Sequence, residues 1–137
     1  MEQMPALLTT GFAESLLAFV VTMVVFVMGM TLYCLITPHS ELKLIRAGNP
    51  AASMSFSATA LAIAIALASA VHNTHAPVDI LIWGINATLF QLLAYFGTIR
   101  LMPELNKAIE EGKVLSALPL AALQLATAIL NAALFTG

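Results

Sequence analysis

Charge is what this sequence has least of. Asp, Glu, Lys and Arg make up 9% of its 137 residues, and apolar residues make up 61%. A soluble domain carries about 25% charged and about 45–50% apolar residues, so the composition points to a bilayer rather than to a large water-exposed fold. Five basic residues and a net charge of −2 leave no surface for nucleic acid and no groove for phosphate. The single cysteine, Cys34, rules out an intramolecular disulfide or a dithiol relay within one chain. It lies in an apolar run and reads as a small packing residue. No Gly-rich phosphate loop occurs, and neither a Ser-His-Asp nor a Cys-His order has a scaffold to hold it. His39, His72 and His75 all fall in loops, so no span offers an axial ligand for haem. We expect neither an enzyme nor a cofactor.

What the chain does contain is four apolar runs, at residues 15–36, 51–71, 80–101 and 114–135. The first has 22 residues and no charge. At about 1.5 Å per residue a helix of that length crosses the ~30 Å hydrocarbon layer. The residues before it lack the positive start of a secretory signal, so the run is expected to remain as a membrane helix. The length suits a single integral membrane domain, an all-α four-helix transmembrane bundle made of two helical hairpins.

All five basic residues, Lys43, Arg46, Arg100, Lys107 and Lys113, lie in or beside two connectors at residues 41–52 and 102–113. The positive-inside rule places both connectors in the cytoplasm, with both termini and the loop at residues 72–78 on the periplasmic side. The connectors also resemble each other. Ile45-x-x-Gly48 matches Ile109-x-x-Gly112 at an offset of 64, and Glu14 and Asp79 stand 65 apart, each at the outer start of an odd-numbered span. An even number of spans per unit preserves orientation, so the repeat is parallel, with a pseudo-twofold along the membrane normal.

These residues carry a resemblance. Glu41-Leu42, Ile45, Gly48-Asn49-Pro50-Ala51-Ala52, Asp79, Trp83, Gln91, Ile109, Gly112 and Asn131-Ala132-Ala133 resemble the YjfL-like bacterial inner-membrane proteins over about residues 10–137. That family is a four-span domain of unknown function, sometimes found in tandem copies. Lys113 departs from the pattern, where similar proteins tend to repeat the Gly-Asn pair. The resemblance implies a multi-pass inner-membrane protein with no assigned activity, and relatives often associated with membrane-stress or polyamine-related gene sets.

Several residues are candidates for function. Gln124, Thr127 and Asn131 share one stripe of the fourth run, and Thr88, Gln91, Tyr95 and Thr98 share one stripe of the third, with Asn86 on another. Amides in hydrocarbon need partners, so Asn86, Gln91, Gln124 and Asn131 either hold the bundle together or line a path for an ion or small polar solute. Lys43, Arg46, Gly48 and Asn49 are candidates for docking a cytoplasmic partner. Glu14 and Asp79 read as first-turn acids on the outer face, stabilised by the helix dipole. His72, His75 and Asp79 form the one metal-like constellation, but Pro77 interrupts it and no fourth ligand is evident; no metal is expected. Tyr33, Glu110 and Glu111 read as interface and solvated residues. A small-residue stripe, Ser53, Ser57, Ala60, Ala64 and Ala68, is expected to make the second run the most deeply packed. Pro103 is expected in the first turn of a short amphipathic surface helix with Leu105 and Ile109 inward, ended by Gly112.

The expected role is a non-enzymatic structural, sensor or partner subunit of an envelope-associated system. The alternative is an oligomeric channel or transporter subunit. Expected partners are the lipid bilayer and either further copies of the chain or another membrane subunit.

Overall fold

The computed structural model describes residues 3–37, 41–74 and 76–135. Six helices make up the fold: α1 (Gln3–Ile36), α2 (Glu41–Arg46), α3 (Pro50–Asn73), α4 (Pro77–Leu101), α5 (Leu105–Glu110) and α6 (Val114–Phe135). No strand occurs among the described residues. α1, α3, α4 and α6 are each long and apolar enough to cross a membrane, and α2 and α5 are short helices within the two connectors. The order long, short, long therefore occurs twice.

The repeat is visible in the backbone. Just past α2 Gly48 has φ 86°, and just past α5 Gly112 has φ 77°, a left-handed conformation that glycine adopts without a Cβ penalty. At the first, the Gly48 N–H donates to the Ile45 carbonyl at 3.0 Å and the Asn49 N–H to the Leu44 carbonyl at 2.9 Å. At the second, Gly112 donates to Ile109 and Lys113 to Ala108, both at 3.0 Å. This is the Schellman pattern, and it satisfies carbonyls that a helix end leaves open. The offset of 64 pairs Ile45 with Ile109. It also pairs Glu41 with Leu105, the first residues of α2 and α5.

Side-chain pairings fix direction. Val25 and Thr88 fill the surface against Gly84 and Gly29 respectively, so α1 and α4 run the same way. Asn49 meets Ile109, and Ser69 donates to the Ala132 carbonyl at 2.9 Å, so α3 and α6 run the same way. Gln91 meets Gln124, and Asn131 meets Ala87, so α4 and α6 are antiparallel. Two hairpins related by a parallel repeat are the result.

α3 is the central helix, and its packing with α6 is the most extensive in the molecule. Of the residues in its most apolar stretch 50% are buried, against 17% in α1. The face it buries is not the expected one. Ser57, Ala64 and Ala68 are exposed, and Ser53 and Ala60 are half-buried. Buried instead are Ala58, Ala62, Ala66 and Ala70, with Ser55, Thr59, Ile63, Leu67 and Ser69. Both faces of α3 are small enough for close approach, so spacing alone does not choose between them. The face carrying Ile63 and Leu67 also supplies bulk to interlock with α1, α4 and α6, and it becomes the core.

Two boundaries differ from expectation. α1 begins at Gln3, so Glu14 is an exposed residue well within a helix that has no acid in its first turn. The polar and small residues before Ser15 hid this extension. Pro103 lies in a turn before α5, whose first residue is Leu105; the Met102 carbonyl is taken by the Leu105 N–H at 3.1 Å. Pro38, a residue type that ends or bends a helix, is outside the described residues. Pro50 and Pro77 sit at helix starts, where a missing N–H costs nothing.

Candidate functional site

Two groups of buried polar side chains and one exposed surface are the places where chemistry could occur. The first buried group lies at the connector end. Tyr33, near the end of α1, is 0% exposed, which corrects its reading as an interface residue. Its hydroxyl donates to Glu41 Oε1 at 2.7 Å and lies 3.0 Å from Ser55 Oγ. Glu41 is 3% exposed and Ser55 1%. Thr59 donates to the Ser55 carbonyl at 3.0 Å, and Thr37 to the Tyr33 carbonyl at 2.7 Å. The Tyr95 ring meets the Tyr33 ring edge-on, with centroids 5.1 Å apart and planes at 81°. Such a pair is worth about 0.5–1.5 kcal/mol beyond its buried area. Side chains of α2, α3 and α4 thus converge on Tyr33 of α1. The cluster is hard to read from the sequence because Glu41 sits beside Lys43 and Arg46, where a charge ordinarily stays in water. The i, i+4 spacing of Glu41 and Ile45, half-buried on the same short helix, is the one signal of an inward face.

The second group lies deeper. Gln91 on α4 and Gln124 on α6 are 0% and 1% exposed. Gln91 Nε2 donates to the Gln124 carbonyl at 2.8 Å and also to Gln124 Oε1. Asn131 Nδ2 reaches the Ala87 carbonyl at 3.5 Å. Thr88, Gln91, Tyr95 and Thr98 are all buried on one face of α4. Asn86 is half-buried and takes part in none of these bonds. Thr127 spends its hydroxyl on the Leu123 carbonyl at 2.8 Å within its own helix.

A prediction follows for the glutamine pair. Gln91→Leu or Gln124→Leu alone should lower unfolding free energy by about 1–3 kcal/mol, because each removes the side-chain partner of the other buried amide. The double Leu variant should recover part of the loss, with a coupling of about 0.6–1.7 kcal/mol. Unfolding in mixed micelles measures the cycle, and strictly additive losses would show that the two amides do not interact.

The exposed surface joins the two connectors. Asn49 caps α3, its Oδ1 accepting from the Ala52 N–H at 3.1 Å. Its Nδ2 donates to the carbonyls of Ile109 at 2.8 Å and Glu110 at 3.2 Å. One side chain therefore ties the start of α3 to the end of α5. Lys43 and Arg46 are exposed on α2, as is Gly48. Beside α5, a groove of about 760 Å³ is lined by Leu101, Glu104, Lys107, Glu111, Lys113 and Pro119. Lys113 pairs with Glu111 at 3.0 Å, and its hydrogen bond and charge hold the Glu111 carboxyl below its ordinary range.

At the opposite end, Asp79 lies in the first turn of α4 and accepts from Thr74 Oγ1 at 3.3 Å. His72 is exposed in the last turn of α3 rather than in a loop, and His75 lies outside the described residues. No three His, Cys, Asp or Glu side chains gather as a metal site among the described residues.

The family model described as Domain of Unknown Function (DUF350) matches residues 7–135. The chain belongs to the DUF350 family. Among curated proteins it is similar to the UPF0719 inner membrane protein YjfL of Escherichia coli (strain K12), 35% identical over 127 residues that cover 90% of this chain and 96% of the relative. The corresponding protein of Escherichia coli O157:H7 matches to the same extent. No solved structure matches the chain. With its four apolar helices, this DUF350 chain is a multi-pass inner-membrane protein. The DUF350 match spans both connectors and both polar groups, so each lies within the family domain.

Proposed function

We propose that this chain is a non-enzymatic subunit of an envelope-associated membrane system, a structural, sensor or partner component that docks through its two connectors. The observation that carries the reading is the Asn49 bridge, which makes one surface of the two connectors. That surface presents Lys43 and Arg46 on α2 beside the mixed-charge groove of α5. The buried Gln91 and Gln124 amides bond to each other and so favour a packing role over a solute path. The basic residues support a cytoplasmic position for this surface by the positive-inside rule, with both termini periplasmic. Exposed apolar side chains along α1, among them Phe12, Phe19, Val27 and Leu35, face lipid or a neighbouring subunit, a second copy included.

The test is affinity purification of the intact chain from its native membrane, read by mass spectrometry. Replacing Lys43 and Arg46 by Glu should remove the co-purifying proteins. A C-terminal reporter in the same strains should stay active on the periplasmic side, which separates lost docking from altered insertion. An unchanged set of partners would sink the docking reading. A reporter active in the cytoplasm of the parent strain would overturn the orientation.

A further inference from the structure

We infer that the groove between α1 and α3 is a binding site for one phospholipid, with an acyl chain seated along it in the leaflet away from the connectors. The groove has a volume of about 630 Å³. Because the two helices are antiparallel, it runs from Ser15 and His72 at one end to Phe26 and Ala64 at the other. Its length is the first support. Ser15 to Phe26 on α1 is roughly 16 Å at about 1.5 Å per residue, and half of the hydrocarbon layer is about 15 Å. The groove therefore has the depth of one leaflet, the distance an acyl chain covers from the interface to the midplane. Its polar end is at the interface: Ser15 opens the uncharged run of α1, and His72 is exposed in the last turn of α3. Thr22, further in, donates its hydroxyl to the Ala18 carbonyl at 2.7 Å within α1.

The second support is width, which separates a lipid chain from a helix of another copy. About 630 Å³ over roughly 16 Å gives a mean section of about 40 Å². A helix with its side chains is about 10–12 Å across, a section of about 80–110 Å². A second copy's helix would rest on the rim, whereas an extended hydrocarbon chain enters. Alanine makes the room: Ala18 on α1 and Ala64 and Ala68 on α3 line the groove with no atom beyond Cβ. Within lipid, close packing rather than hydrophobic exclusion favours one contact over another. A chain held between two helices gains packing that a flat helix face does not offer.

The third support is a comparison that the chain makes with itself. The repeat makes α4 and α6 the counterparts of α1 and α3. There, Asn131 reaches the Ala87 carbonyl and Gln91 bonds to Gln124, so amides bridge the two helices. The offset of 64 puts Leu67 and Met23 in the places of Asn131 and Ala87, and Ala60 and Val27 in the places of Gln124 and Gln91. Leu67 and Met23 both line the groove. The first hairpin thus lacks the amide bonds that join the helices of the second, and the groove lies where they are missing.

The site is at the opposite end of the bundle from the docking surface, and its readout is bound lipid rather than a co-purifying protein. The intact chain is purified in detergent, palmitoyl-oleoyl phosphatidylethanolamine is titrated in, and native mass spectrometry follows the adduct. A saturable adduct of one phospholipid per chain is expected. Ala64→Phe and Ala68→Phe place a ring in the groove. Each should raise the lipid concentration at half-occupancy about tenfold, the equivalent of ~1.4 kcal/mol. Both alanines are exposed, so neither ring enters the core. Ala126→Phe, on the exposed surface of α6, should leave the titration unchanged. A parent chain that carries no phospholipid at any concentration overturns the site. So does a half-occupancy that both groove variants leave where it was, or that Ala126→Phe raises as much as they do. A lipid-free dimer that Ala68→Phe returns to monomer overturns it in favour of a second copy. Should the phenylalanine variants fail to fold, an unchanged half-occupancy in Ala68→Val has the same force.

Discussion

Gly84→Val should cost the bundle about 1–3 kcal/mol or more, the range for overpacking a close-packed core. A Cβ at Gly84 would lie 2.9 Å from Leu67 Cδ2 and 3.2 Å from Val25 Cγ1. α4 therefore approaches both α3 and α1 through the space glycine leaves. Alanine is the informative control. It gains about 1 kcal/mol of helix propensity over glycine, and the Leu67 contact is with the tip of a flexible side chain. Gly84→Ala should thus be close to neutral, whereas valine adds two branches that must displace Val25 and Leu67 together. Gly97→Val meets nothing within 4 Å, and it should leave stability within about 0.5 kcal/mol, as for other substitutions away from packing contacts. Thermal unfolding of the three variants in one detergent decides the matter, and equal melting of Gly84→Val and Gly97→Val would refute the close approach.

Asn49→Asp is expected to destabilise at least as much as Asn49→Ala, although aspartate is as good a helix cap as asparagine. The reason lies in the two roles of one amide. Its oxygen caps α3, and its nitrogen donates to the carbonyls of Ile109 and Glu110. Alanine loses both, at about 1 kcal/mol for the cap and about 0.5–1.5 kcal/mol for each hydrogen bond. Aspartate keeps the cap, but it turns a second oxygen toward two carbonyl oxygens, which repel it. A cap-only role would give the opposite order, with Asn49→Asp near the parent and Asn49→Ala well below it. Chemical unfolding of the purified variants separates the two outcomes.

Most of the architecture was legible in the sequence, because its signals are additive over many residues. Four apolar runs and one-sided basic residues need no atomic detail to define a four-helix inner-membrane bundle. The Ile-x-x-Gly repeat was legible as well, since a left-handed helix end selects glycine. What escaped was which face points where. On α3, either stripe of small residues could pack closely, and the placement of Ile63 and Leu67 decided it through contacts with other helices. At Glu41 the chain departs from the rule that a charge in a basic connector stays in water. Tyr33, 8 residues away, comes to meet it, and Ser55, 14 residues away, joins through the Tyr33 hydroxyl. Neither distance has a periodicity that a reading along one helix could detect. Asn49 was singled out for partner docking, and its amide is engaged within the chain itself, by carbonyls 60 and 61 residues further on.

The length of that reach has a consequence for how the protein is made. Translation delivers α1, α2 and α3 to the membrane before α5 exists. At that stage Asn49 can cap α3, but the carbonyls of residues 109 and 110 have yet to be synthesised. The first hairpin is therefore complete in sequence before the carbonyls that tie it to the second are made. α3 meets lipid along the alanine face that later packs on α6, and that face closes only when the second hairpin arrives. The Asn49 bridge can form only after the second connector is made.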